Sequence, residues 1–128
     1  RPRPERMQNL LLVAVGGAIG ALSRYGVGVL CVRLGFAGFP WSTLIVNVTG
    51  GFAMGLLAGW LSEDGAALRL LLGVGVLGGF TTFSAFSLDA VRLLEGQRFA
   101  EAFAYMAVSV ILSIGACWLG LMLARSAS

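Results

Sequence analysis

Gly78-Gly79-Phe80-Thr81-Thr82-Phe83-Ser84-Ala85-Phe86 sits in the middle of a hydrophobic segment and decides how the chain is read. Glycines and hydroxyl side chains loosen a helix, the first through backbone entropy and the second by competing for backbone partners. Phe83 and Phe86, three residues apart, fall on one helical face. Backbone that leaves a helix at bilayer depth survives only where it is buried in protein or lines a cavity. The stretch therefore predicts a working site in a membrane protein, with a helix broken near residues 78–83.

The surrounding chain agrees with a bilayer as solvent. Its 128 residues are 58% hydrophobic and 12% charged, and mean hydropathy is +0.89, whereas soluble domains carry about 25% charged residues. The length suits one transmembrane domain over residues 1–128. Histidine is absent, which removes Ser-His and Cys-His nucleophile pairs and the commonest metal ligand. All nine basic residues are arginines, scattered rather than in a run of nucleic-acid type. Cys31 and Cys117 both lie in apolar segments and read as packing residues rather than a disulfide.

Four segments reach spanning length, which takes about 20 apolar residues. They run roughly 8–33, 40–61, 67–93 and 99–124, so the broken helix is the third. The linkers are Gly35 to Phe39, Glu63 to Gly65 and Glu95 to Gln97, each containing Gly as turns do. The Arg- and Pro-rich start followed by an apolar run resembles a signal peptide, but three further apolar segments favour a retained first helix. Met7 as the native start would make residues 1–6 a non-native or flexible extension.

Four spans put both termini on one side. That side carries Arg69 and Arg125, with Arg1, Arg3 and Arg6 if the extension is native; the other carries Arg33, Arg92 and Arg98. Without the extension the count is two against three, and the positive-inside rule then gives almost no preference. Balanced flanks suit a chain that inserts both ways and pairs antiparallel, and equally a weak bias in one direction.

Small residues four apart let helix backbones approach closely in lipid. Gly16 and Gly20 in the first span, and Gly51, Gly55 and Gly59 in the second, are such a packing signal. The chemistry lies elsewhere. Tyr105, Ser109 and Ser113 repeat every four residues on the fourth span, a hydroxyl stripe on an otherwise apolar helix. Ser84 and Ser87 lie beside the phenylalanines, and the second span adds Thr43, Asn47 and Thr49. Hydroxyls singly bond their own i−4 carbonyl, so the stripe serves either packing or a pathway. Asn47 is either interhelical glue or a pore donor. Asp89 is near a helix end and within reach of headgroups. Arg24, two-thirds along the first span, calls for water, a partner or an anion. Aromatic rings have a positive edge, so ring edges, hydroxyls and a carboxamide could flank a small, strongly hydrated anion. The residues alone reach a small-anion or polar-solute pathway without turnover chemistry.

The nine-residue stretch resembles the signature of the Fluc (CrcB) fluoride channels. Gly16-Gly17, Gly20 and Arg24-Tyr25 resemble that family's first helix; Pro40-Trp41, Thr43 and Asn47 before Gly50-Gly51 its second; Tyr105, Ser109 and Ser113 its fourth. The likeness covers about residues 9–124. It implies an all-α membrane protein: an antiparallel, dual-topology homodimer with two pores, passing fluoride out of the cell passively across a bacterial inner membrane and excluding chloride. It implies that Phe83 and Phe86 line the pores and that Asn47, Ser84, Tyr105, Ser109 and Ser113 supply polar contacts. Arg24 would stand near the vestibule, and Asp89 where many members have Glu. The carbonyls of Gly78 and Thr81 would hold a structural sodium ion at the dimer axis. Ala85, where the signature usually has Thr, and Asp89 are departures, with altered fluoride throughput as the expectation.

Three rivals are weighed. A small multidrug resistance type of exporter needs a deep carboxylate in the first span, which holds only Arg24. An intramembrane enzyme needs a deep acid–base pair that is absent. An assembly subunit would not need the Gly/Thr break beside paired rings.

Overall fold

The computed structural model describes residues 3–61 and 64–127, and within these the regular structure is entirely helical. Helix α1, Pro4–Arg33, opens on a proline, whose missing N–H is one the first turn leaves unused anyway. It ends at a connection in which Gly35 and Gly38 take φ of 83° and 84°, a region glycine enters without a Cβ penalty. Helix α2 is Trp41–Trp60. The third span, Ala66–Glu95, comes in two pieces. The first, α3 (residues 66–80), is α-helical at Ala66–Leu68, π-helical over Arg69–Leu77 and α-helical again at Gly78–Phe80. The second, α4, is Ser84–Glu95. Helix α5 is Phe99–Ala127.

Among the described residues four helices are thus long and apolar enough to cross a membrane, within a few residues of the spans read from sequence. Residues 4–6, inside the stretch read as an extension, continue α1. Arg1, Pro2 and the Glu63 end of the second linker lie outside the described residues.

The sequence places the loosening at Gly78 and Gly79, yet both are helical, and extended backbone begins at Thr81 (φ −81°, ψ 158°). Gly79 serves contact instead: a Cβ there would stand 2.6 Å from the Gly17 carbonyl oxygen of α1. The four-residue glycine spacings do the same work. α1 packs on α3, where a Cβ on Gly75 would meet Gly16 Cα at 2.8 Å. α2 packs on α5, where a Cβ on Gly51 would meet the Ser113 carbonyl oxygen at 2.9 Å. Without a hydrophobic force between helices in lipid, such close backbone approach supplies the association energy.

The small core gathers Leu44, Ala90, Leu93, Ala102 and Tyr105 where α2, α4 and α5 meet. Large apolar side chains point outward instead, among them Leu22, Ile111 and Trp118. That distribution exposes apolar area no soluble monomer would tolerate and suits contact with acyl chains. Cys31 is buried and Cys117 half-buried, both as free thiols, in keeping with a packing role.

Candidate functional site

When the chain leaves the helix at Thr81, backbone groups lose their helical partners, and α2 supplies the replacement. Asn47 Oδ1 accepts the Thr82 N–H at 2.8 Å, and Asn47 Nδ2 donates to the Thr82 carbonyl at 2.9 Å. One carboxamide thus satisfies both sides of one residue's backbone and keeps a second Nδ2 hydrogen. Thr82 Oγ1 accepts the Ala85 N–H at 3.0 Å and so caps the start of α4. Arg24 Nε donates to the Gly79 carbonyl at 3.2 Å, tying α1 to the same turn.

These bonds leave a residue of their own. In a continuous helix the Thr82 and Ala85 N–H groups would serve the Gly78 and Thr81 carbonyls. Here both donors are committed to side chains. Two carbonyl oxygens are left without their ordinary donors, and hard oxygen ligands of this kind fit a small monovalent cation.

On the α5 side, a cavity of about 360 Å³ collects Asn47, Thr81, Thr82, Phe83 and Phe86 with Ser109 and Ser113. The Phe83 and Phe86 ring centroids are 5.6 Å apart, with planes at 50°. Ser109 and Ser113 Oγ are buried and have no hydrogen-bond partner among the described residues. This separates the two readings of the hydroxyls. Ser23, Thr49, Thr81 and Ser87 each bond their own i−4 carbonyl, the packing behaviour. Ser109 and Ser113 do not, and an unsatisfied buried hydroxyl costs about 1–3 kcal/mol unless something else meets it.

At the end of the hydroxyl stripe, Asp89 Oδ2 accepts from Thr43 Oγ1 at 2.7 Å and from Tyr105 OH at 3.1 Å, joining α2, α4 and α5. Tyr105 is fully buried, with Phe86 stacked obliquely against it at 5.2 Å and Phe39 edge-on at 5.5 Å.

The structure therefore brings Asn47, Thr81, Phe83, Phe86, Ser109 and Ser113 around one cavity, with Tyr105 and Asp89 joined to it through Phe86. It does not bring all candidates there. Arg24 lines a second cavity, about 580 Å³, with Tyr25, Arg33 and Thr43. Ser84 is exposed, its Oγ 3.3 Å from that of Thr82. Gly78 is exposed and lines neither. Sequence reasoning passed over Thr82, which caps α4, pairs with Asn47 and lines both cavities. A hydroxyl three residues before a helical N–H at a helix start is the signal that could have found it.

A four-span bundle with a polar, ring-flanked cavity at an interruption in its third span defines a multi-pass membrane protein. The chain belongs to the CrcB family, whose model, described as CrcB-like protein, Camphor Resistance (CrcB), matches residues 11–121. It is 54% identical over 123 residues to the "Fluoride-specific ion channel FluC" of Caulobacter sp. (strain K31), across 93% of this chain and 96% of that relative. The protein of the same name from Rhodospirillum centenum (strain ATCC 51521 / SW) is 51% identical over 127 residues, across 94% of this chain and 98% of that one.

Proposed function

We propose that this chain is a fluoride-selective channel that lets fluoride leave the cell down its gradient and so prevents intracellular fluoride toxicity. The observation that carries the reading is the pair of unpartnered serine hydroxyls facing a cavity walled by Phe83, Phe86 and Asn47, in a family whose relatives bear that channel's name. A fluoride ion entering this cavity gives up water. Ser109 and Ser113 donate O–H in its place, and Asn47 donates its second Nδ2 hydrogen. Hydrogen bonds to an ion are roughly twice as strong as neutral ones, which offsets part of the dehydration. The ring edges of Phe83 and Phe86 flank the ion without binding it in a fixed charge pair. A larger, softer halide gains less from the same donors.

The working unit in this proposal is an antiparallel homodimer with dual topology and two pores in a bacterial inner membrane. Balanced arginines and helices outward-facing in apolar side chains support it. The carbonyls of Gly78 and Thr81 would hold a sodium ion at the dimer axis, where a fixed positive charge would tie two third-span interruptions together. Ser84 and Arg24 act at the approaches rather than in the cavity.

The test is ion efflux from liposomes reconstituted with this protein alone, read by a fluoride and then a chloride electrode. Rapid fluoride efflux with negligible chloride efflux is expected. Equal efflux of both ions, or none from folded protein, would overturn the proposal.

A further inference from the structure

A third cavity, about 430 Å³, lies between the α1–α2 connection at Gly38, Phe39 and Pro40 and the far end of the third span, where Asp89, Arg92 and Arg98 line it. Two arginines and one aspartate share its lining. Arg98 is held at the rim by an ion pair with Glu101, while Arg92 has no ion-pair partner among the described residues. An isolated arginine at a helix end would ordinarily extend to headgroups; this one converges with Arg98 on a concave site.

What lies behind the cavity gives it meaning. Asp89 lines it, and Asp89 Oδ2 is the acceptor for Thr43 and Tyr105. Tyr105 begins the stripe that continues through Ser109 and Ser113 to the first cavity. A carboxylate at that position alone would repel an anion arriving from water. Two arginines in front of it reverse the local sign, and concave sites focus such a field.

We infer that this cavity is the mouth of the ion path, an anion-collecting site in which Arg92 and Arg98 bring a small anion up to Asp89. The inference rests on the fluoride-channel reading and adds the residues that set the rate of entry. One unit charge about 6 Å away in water changes the local anion concentration about threefold, and the two arginines act together. Glu101 opposes them by occupying Arg98.

Liposome efflux at low fluoride, where entry limits the rate, tests this. R92Q is expected to slow initial fluoride efflux about threefold at low ionic strength, R92Q/R98Q about tenfold, and R92K little. These losses should fade as an impermeant salt is raised from about 10 mM to about 1 M, because the screening length falls from about 30 Å to about 3 Å. E101Q frees Arg98 and should speed efflux, an effect that misfolding cannot mimic. Unchanged efflux of R92Q/R98Q beside a conducting parent overturns the inference and leaves the channel reading intact. A parent that passes no fluoride overturns both. The losses should be equal in vesicles of phosphatidylcholine alone and in vesicles containing phosphatidylglycerol. Losses confined to the latter would make the cavity a lipid-phosphate site and overturn its role as a mouth.

Discussion

Ser109 and Ser113 are distinguished by the bond they do not make, since Ser23, Thr49 and Ser87 all return their hydroxyls to an i−4 carbonyl. Removing a hydroxyl that bonds nothing in the protein should cost the fold little. Ser113→Ala is therefore expected to keep its thermal midpoint in detergent, with a stability change within about 0.5 kcal/mol, while fluoride efflux falls about tenfold, as loss of one hydrogen bond to an ion would give. Ser87→Ala should leave efflux unchanged, and the pair of measurements separates pathway from packing. Asp89 is the opposite case. Asp89→Ala strands the buried hydroxyls of Thr43 and Tyr105 and should cost about 2–5 kcal/mol, read as a large drop in thermal midpoint; Asp89→Asn keeps an acceptor oxygen and should lose much less. The four-residue hydroxyl spacing was legible in the sequence. Which hydroxyls back-bond was not, because that depends on side-chain rotamer and on what the neighbouring helix presents.

The elements are held in place by backbone contact and by side-chain bonds, of which the Asn47 clasp bears on the interruption. Asn47 takes both the N–H and the carbonyl of Thr82, so α2 anchors the interruption between α3 and α4. Asn47→Leu should release both groups. Hydrogen exchange at the Thr82 and Ala85 amides is expected to speed by at least tenfold, with little change in mid-α5; equal protection in parent and variant would refute the clasp. The spans themselves were legible, since long charge-free runs dictate them almost unaided. The position of the interruption was legible only approximately. Gly78 and Gly79 suggested an earlier departure, but glycine also permits close helix approach, and here contact with α1 decided the matter. The π-helical turns at Arg69–Leu77 have no compositional mark that sequence reasoning could use.

For the whole molecule the open quantity is orientation. By chain connectivity, Arg3, Arg6, Arg69 and Arg125 lie at one end of the bundle and Arg33, Arg92 and Arg98 at the other. With charge so evenly divided, a few added lysines should decide insertion. A chain given a Lys-rich C-terminal tail is expected to insert in one orientation and to lose most fluoride efflux when expressed alone. Co-expression with a chain biased the other way, by lysines in the 96–98 turn, should restore it. Full efflux from the singly biased chain would argue against antiparallel pairing. Membrane residence was legible because composition alone requires it; an apolar outer face does not by itself indicate pairing, because lipid and a second copy both cover such faces.

Thr82 is the single residue common to the linings of the 360 Å³ and 580 Å³ cavities. Thr82 therefore stands between the serine-lined cavity and the arginine-lined one. The same threonine is stapled by its backbone to Asn47, so its backbone cannot shift without unfastening α2. Trimming it to glycine would spare the Asn47 bonds but remove the cap on Ala85, and should join the two cavities, so that chloride efflux is expected to rise beside fluoride efflux.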